Sequence, residues 1–114
     1  MLVIRKEQMA VFLRLQLKKF EDETCERLLK LKPDQCRKLG EKAVRKSIRD
    51  GIERSFQYGI KTERDIARYI NIMYTLGFDF DTDPRYPWAA DILQSSSETK
   101  VDRLCKLTAM ELAR

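Results

Sequence analysis

The spacing of the apolar residues is what most limits this chain. Between Arg5 and Leu31, Met9, Phe12, Leu13, Leu17, Phe20, Thr24, Leu28 and Leu31 recur mostly at three- and four-residue steps. That is the helical period, and it predicts one amphipathic helix of about seven turns. Lys18-Lys19, Glu21-Asp22-Glu23 and Arg27 fall on its other faces. The same spacing returns in Val44, Ile48, Ile52 and Phe56, then in Ile66, Tyr69, Ile70 and Met73. It returns again in Val101, Leu104, Cys105, Thr108 and Leu112, with Leu107 and Met110 widening the face. Glycine (4) and proline (3) are scarce, which excludes an all-β fold built on many turns.

Punctuation residues divide these runs. Pro33 breaks the first helix and opens a short turn over 34–39, which Gly40 closes. A third helix runs from Glu41 to about Tyr58, with Gly59 as its left-handed terminator. Thr62 caps a fourth helix over 63–76, with Asp65 three residues on in a variant of the capping box. The short link between them predicts an antiparallel hairpin. Pro87 opens another helix over 88–93, Ser95-Ser96-Ser97 form a linker, and a last helix covers about 98–113. At 114 residues the chain fits one domain. The expected fold is all-α: a compact bundle of five to six helices over 1–114, with a long N-terminal helix and a central helical hairpin. Its C-terminal element, 94–114, follows the serine linker.

Several chemistries drop out. The chain has no histidine, which removes histidine triads, histidine metal ligands and histidine pH switches. Cys25, Cys36 and Cys105 contain no CxxC pair and fall short of a zinc ligand set. They read as small buried hydrophobes in a reducing compartment. No nucleophile elbow, P-loop or dinucleotide fingerprint is present. Asp79, Asp81 and Asp83 start like a calcium loop. Pro84 then stands where that loop needs glycine, and Ala90 where it needs glutamate. These aspartates read better as turn formers, caps or partner contacts. No catalytic residue, metal or cofactor is assigned. The short apolar start, Met1 to Ile4, is no secretion signal, and no segment is apolar enough to span a membrane. A cytoplasmic, non-enzymatic protein is expected.

Three features remain as candidate sites. The first is the segment 78–88, where helical spacing vanishes and four aromatics and three aspartates fall together. Phe78, Asp79, Phe80, Asp81, Asp83, Tyr86 and Trp88 are its partner-binding candidates, since tyrosine and tryptophan anchor many interfaces. The competing reading is that the rings plug the end of the bundle. The second is a small-residue row, Ala43, Ser47, Gly51, Ser55 and Gly59. Gly51 costs ~1 kcal/mol in a helix, which close approach of another helix would offset. Ser47, Gly51 and Ser55 therefore mark either tight internal packing or a groove for a partner helix. The third follows from charge. Residues 1–50 carry 14 basic and 8 acidic side chains, and residues 79–98 one basic and five acidic, within a net +5. Lys42, Arg45, Lys46 and Arg49 share a helical face and would be the phosphate contacts of a nucleic-acid binder. Glu41, Asp50 and Glu53 interleave with them and favour a merely solvated surface.

A resemblance adds to this reading. It is carried by Ile48-Arg-Asp-Gly-Ile-Glu-Arg-Ser-Phe-Gln-Tyr-Gly59, then by Ile60-Lys-Thr-Glu-Arg-Asp-Ile-Ala-Arg-Tyr-Ile70. Leu76-Gly-Phe-Asp-Phe-Asp-Thr-Asp-Pro84 and Pro87-Trp-Ala-Ala-Asp-Ile-Leu93 continue it. Ile4-Arg5-Lys6-Glu7-Gln8-Met9, Phe20-Glu21 and Cys36-Arg37-Lys38-Leu39-Gly40 fit as well. These runs resemble small helical bacterial proteins encoded beside type VI secretion (VgrG spike and PAAR-tip) or polymorphic-toxin genes. The resemblance spans roughly 4–93 and transfers no catalytic residue. It implies an adaptor or chaperone-like accessory whose partner is a secreted toxin, spike or tip protein. An immunity protein that neutralises a toxin is the alternative within the same loci, and nucleic acid is the alternative partner.

Overall fold

The computed structural model describes residues 6–113, with side chains described over 16–113. Among the described residues the fold is all-α: α1 (Lys6–Leu31), α2 (Pro33–Leu39), α3 (Glu41–Gln57), α4 (Glu63–Leu76), α5 (Pro87–Gln94) and α6 (Lys100–Leu112), without strands. The chain divides into two units, Met1–Arg45 and Lys46–Arg114.

In the first unit α1 lies against α2. Of the apolar row expected on α1, Met9, Phe12 and Leu13 lie outside the described side chains. Phe20, Thr24, Cys25 and Leu28 are buried, as are Cys36 of α2 and Val44 of α3. Leu31, expected on the same row, is instead 58% exposed, because α1 ends there and the chain turns away. Lys32 adopts a non-helical conformation before Pro33, which occupies the first turn of α2, and Gly40 ends α2 at φ 84°. Arg45 then ties the start of α3 to α1. Its guanidinium donates to Asp22 at 2.7 Å, Glu41 at 3.2 Å and Glu21 at 3.3 Å. These hydrogen bonds push the arginine further into its charged form and lower the Asp22 carboxyl.

In the second unit the small residues of α3 receive α4. A Cβ on Gly51 would stand 2.7 Å from Ile70 Cγ1 and 2.9 Å from Met73 Sδ. One turn earlier, the Ser47 and Tyr74 hydroxyls share a buried 2.6 Å hydrogen bond. The turn after α3 is a Schellman motif. Ile60 N–H donates to Ser55 O at 2.8 Å and Gly59 N–H to Phe56 O at 3.0 Å, with Gly59 at φ 77°. Thr62 caps α4 by accepting from Asp65 N–H at 3.2 Å. The buried face of α4 is Ile66, Tyr69, Ile70, Ile72, Met73, Tyr74 and Leu76. α6 packs on α4 and α5 through Val101, Leu104 and Thr108. Arg68 bridges Asp65 of its own helix and Asp102 of α6 at 3.3 and 2.6 Å.

Candidate functional site

Between α4 and α5 the chain has no helical ladder to absorb its main-chain groups. It uses successive turns instead: Phe80 N–H to Gly77 O, Thr82 N–H to Asp79 O, and Tyr86 N–H to Asp83 O, at 3.0–3.2 Å. Arg54 of α3 organises the segment. Its guanidinium donates to Phe78 O at 2.8 Å, to Asp79 Oδ1 at 2.8 Å and to Asp81 Oδ1 at 3.0 Å. Tyr58, which directly follows α3, donates its hydroxyl to Asp81 Oδ2 at 2.6 Å. Asp81 is only 5% exposed, so these two partners satisfy a carboxylate that would otherwise be costly to bury. Burial, reinforced by Asp81, pushes the Tyr58 phenol up to about 12. Burial also raises the Tyr69 phenol strongly. Arg54 is held charged, first by its bond to Asp79.

The candidates of 78–88 therefore separate into two sets. Phe80 is fully buried, its ring centroid 5.1 Å from that of Tyr69, and Asp81 is buried beside it. Both were expected among the partner contacts. Both instead face inward, because the ring finds apolar cover and the carboxylate finds Arg54 and Tyr58. Phe78 is 38% exposed and rests edge-on against Tyr74 at 5.1 Å. Asp79 is exposed, and Tyr86 and Trp88 are half-buried with ring centroids 5.8 Å apart. Asp83 shapes the turn. It accepts from Arg85 N–H at 2.9 Å and from the Arg85 guanidinium at 2.9 Å, which lowers its carboxyl. Arg85 also lies 5.4 Å over the Tyr86 ring. The outward part of the segment thus combines Phe78, Asp79, Asp83, Arg85, Tyr86 and Trp88.

The other two candidate sets are placed differently. Ser47, Gly51 and Ser55 are all buried. The row receives Ile70, Met73 and Tyr74 of α4, so it is filled by this chain and is not a groove for another helix. Of the basic set, Arg45 is engaged by three carboxylates and Lys46 pairs with Asp50 at 3.2 Å. Lys42 and Arg49 are exposed. The carboxylates of Asp79, Asp81 and Asp83 are taken up by Arg54, Tyr58 and Arg85. Among the described residues, no group of acidic or cysteine side chains is arranged to hold a metal ion. Cys25 and Cys36 are buried free thiols, raised by that burial and so poor nucleophiles. Also among the described residues, no helix is long and apolar enough to cross a membrane.

The sequence alone does not single out Arg54 and Tyr58. Their i,i+4 spacing places them on one helical face, which was a usable signal, but nothing local says that an acidic loop returns to that face. Comparison with family models, curated proteins and solved structures finds no match to this chain.

Proposed function

We propose that this protein is a non-enzymatic interaction module that binds another protein through the outward side of 78–88. The observation that carries the reading is the Arg54 clamp. One guanidinium and the Tyr58 hydroxyl hold the loop's inner side, so its exposed aromatic and acidic groups are presented in an ordered form. A preorganised loop loses little conformational entropy on binding. Aromatic rings beside an arginine are the residue types that anchor interfaces. The sequence resemblance directs the choice of partner to a secreted bacterial toxin, spike or tip protein, with this chain as a cytoplasmic adaptor or chaperone-like accessory.

The test is a tagged pull-down from the native host in low and in moderate salt, with the parent chain and a Tyr86→Ala/Trp88→Ala double variant. The reading expects one stoichiometric protein, retained in both salts by the parent and lost by the variant while the variant stays folded. Retention by a folded variant overturns the loop assignment. Co-expression with a captured toxin separates the two roles within this reading: an adaptor raises the toxin's level, and an immunity protein abolishes its toxicity. The nucleic-acid reading has weaker support, since Arg45 and Lys46 are already paired with carboxylates of this chain. It would appear as nucleic acid released steeply with salt.

A further inference from the structure

Lys100 stands where a helix least favours it. It is the first residue of α6, and a positive charge there opposes the helix dipole. Thr99, the preceding residue, supplies no side-chain cap. The ammonium reaches away from its own helix and donates to three main-chain carbonyls: Tyr58 O, Ser95 O at 3.2 Å and Leu93 O at 3.4 Å. Tyr58 directly follows α3, and Leu93 and Ser95 flank the last residue of α5. Carbonyls at helix C-termini lack intrahelical partners and carry the negative end of the dipole. A single half-buried cation therefore caps two helices at once, using all three of its donors. Tyr58 joins this arrangement to the loop: its carbonyl accepts from Lys100 while its hydroxyl donates to Asp81.

We infer that Lys100 is a latch that docks α6 onto the ends of α3 and α5 and, through Tyr58, keeps 78–88 in its ordered form. A neutral side chain cannot supply three donors to these carbonyls, so removing the charge frees α6 and loosens the loop with it. The purpose of the latch rests on the reading of 78–88 as a binding surface. Its existence does not, because the test uses no partner, and either idea can fail without the other.

The experiment is amide hydrogen exchange on the 114-residue chain, comparing the parent with Lys100→Met, Lys100→Gln and Tyr58→Phe. Lys100→Met is expected to speed exchange about tenfold in both 100–112 and 78–88, with 16–39 unchanged. Tyr58→Phe is expected to speed 78–88 alone, because the carbonyl that Lys100 uses survives. Acceleration confined to α6 in Lys100→Met overturns the coupling, and no acceleration overturns the latch. A uniform rise across the chain overturns it too, by showing ordinary destabilisation. If Lys100→Met does not fold, Lys100→Gln decides: it removes the charge and leaves two donors in place of three, so faster exchange in the same two segments supports the latch and an unchanged loop refutes it.

Discussion

Asp81 shows how one buried charge sets the shape of a loop. Its carboxylate is out of water and depends on Arg54 and Tyr58 for every strong contact it makes. Truncating Arg54 to Ala leaves that charge uncompensated and is expected to cost about 3 kcal/mol. Tyr58→Phe removes one hydrogen bond and is expected to cost about 1 kcal/mol. Urea denaturation of each variant measures both, and equal losses would show that the arginine has no special part. Ser55 carries the opposite prediction. Its hydroxyl is fully buried without a hydrogen-bond partner among the described residues. Ser55→Ala removes an unsatisfied polar group and is expected to stabilise the protein by about 1 kcal/mol in the same assay. Gly51 sets two known effects against each other. Alanine would gain ~1 kcal/mol of helix propensity. Its Cβ would also press on Ile70, a branched and fully buried side chain that has nowhere to move. Overpacking of this kind costs about 1–3 kcal/mol, so Gly51→Ala is expected to be destabilising overall.

Helices α3 and α4 show what local chemistry specifies well. Gly59 as the left-handed terminator and Thr62 as the next cap act within a few residues of each other. Because Gly59 sits at φ 77°, Gly59→Ala is expected to lower stability by about 1–2 kcal/mol from the backbone alone, read as a fall in the thermal midpoint. Those elements were legible because turn and cap preferences are short-range. The small-residue row was legible as a close approach, yet the sequence left open what approaches. The answer, α4, depends on a hairpin closing over Gly51. The loop 78–88 was legible as unusual in composition, but its sorting into inward and outward residues was not. Phe78 and Phe80 are both phenylalanine, and Asp79 and Asp81 are both aspartate. Only the return of the loop onto Arg54 and Tyr58 makes the members of each pair different.

Taken over the whole chain, alkaline pH is the simplest probe of the buried phenols. Tyr58 has its pKa raised from an ordinary 10.0 to about 12, and Tyr69 is raised in the same direction. A raised phenol favours the folded state while it stays protonated. Its contribution is complete below pH 10 and is lost as pH climbs toward the folded value. Stability is therefore expected to fall between pH 10 and 12, and to fall less steeply in Tyr58→Phe. Equilibrium unfolding at a series of pH values checks this, and parallel curves for parent and variant would reject it. What the sequence determined by itself was the all-α class, the positions of most helix ends and the lack of a recognisable catalytic or metal motif. Helical spacing, proline, glycine and capping residues all act over a turn or two, so a linear reading contains them. Tertiary structure alone decided that α4 fills the small-residue row, that Phe80 and Asp81 turn inward, and that Lys100 caps two helices. Each of these is a contact between residues far apart in the chain. Which partner a buried charge or an exposed carbonyl finds is settled by where the backbone returns.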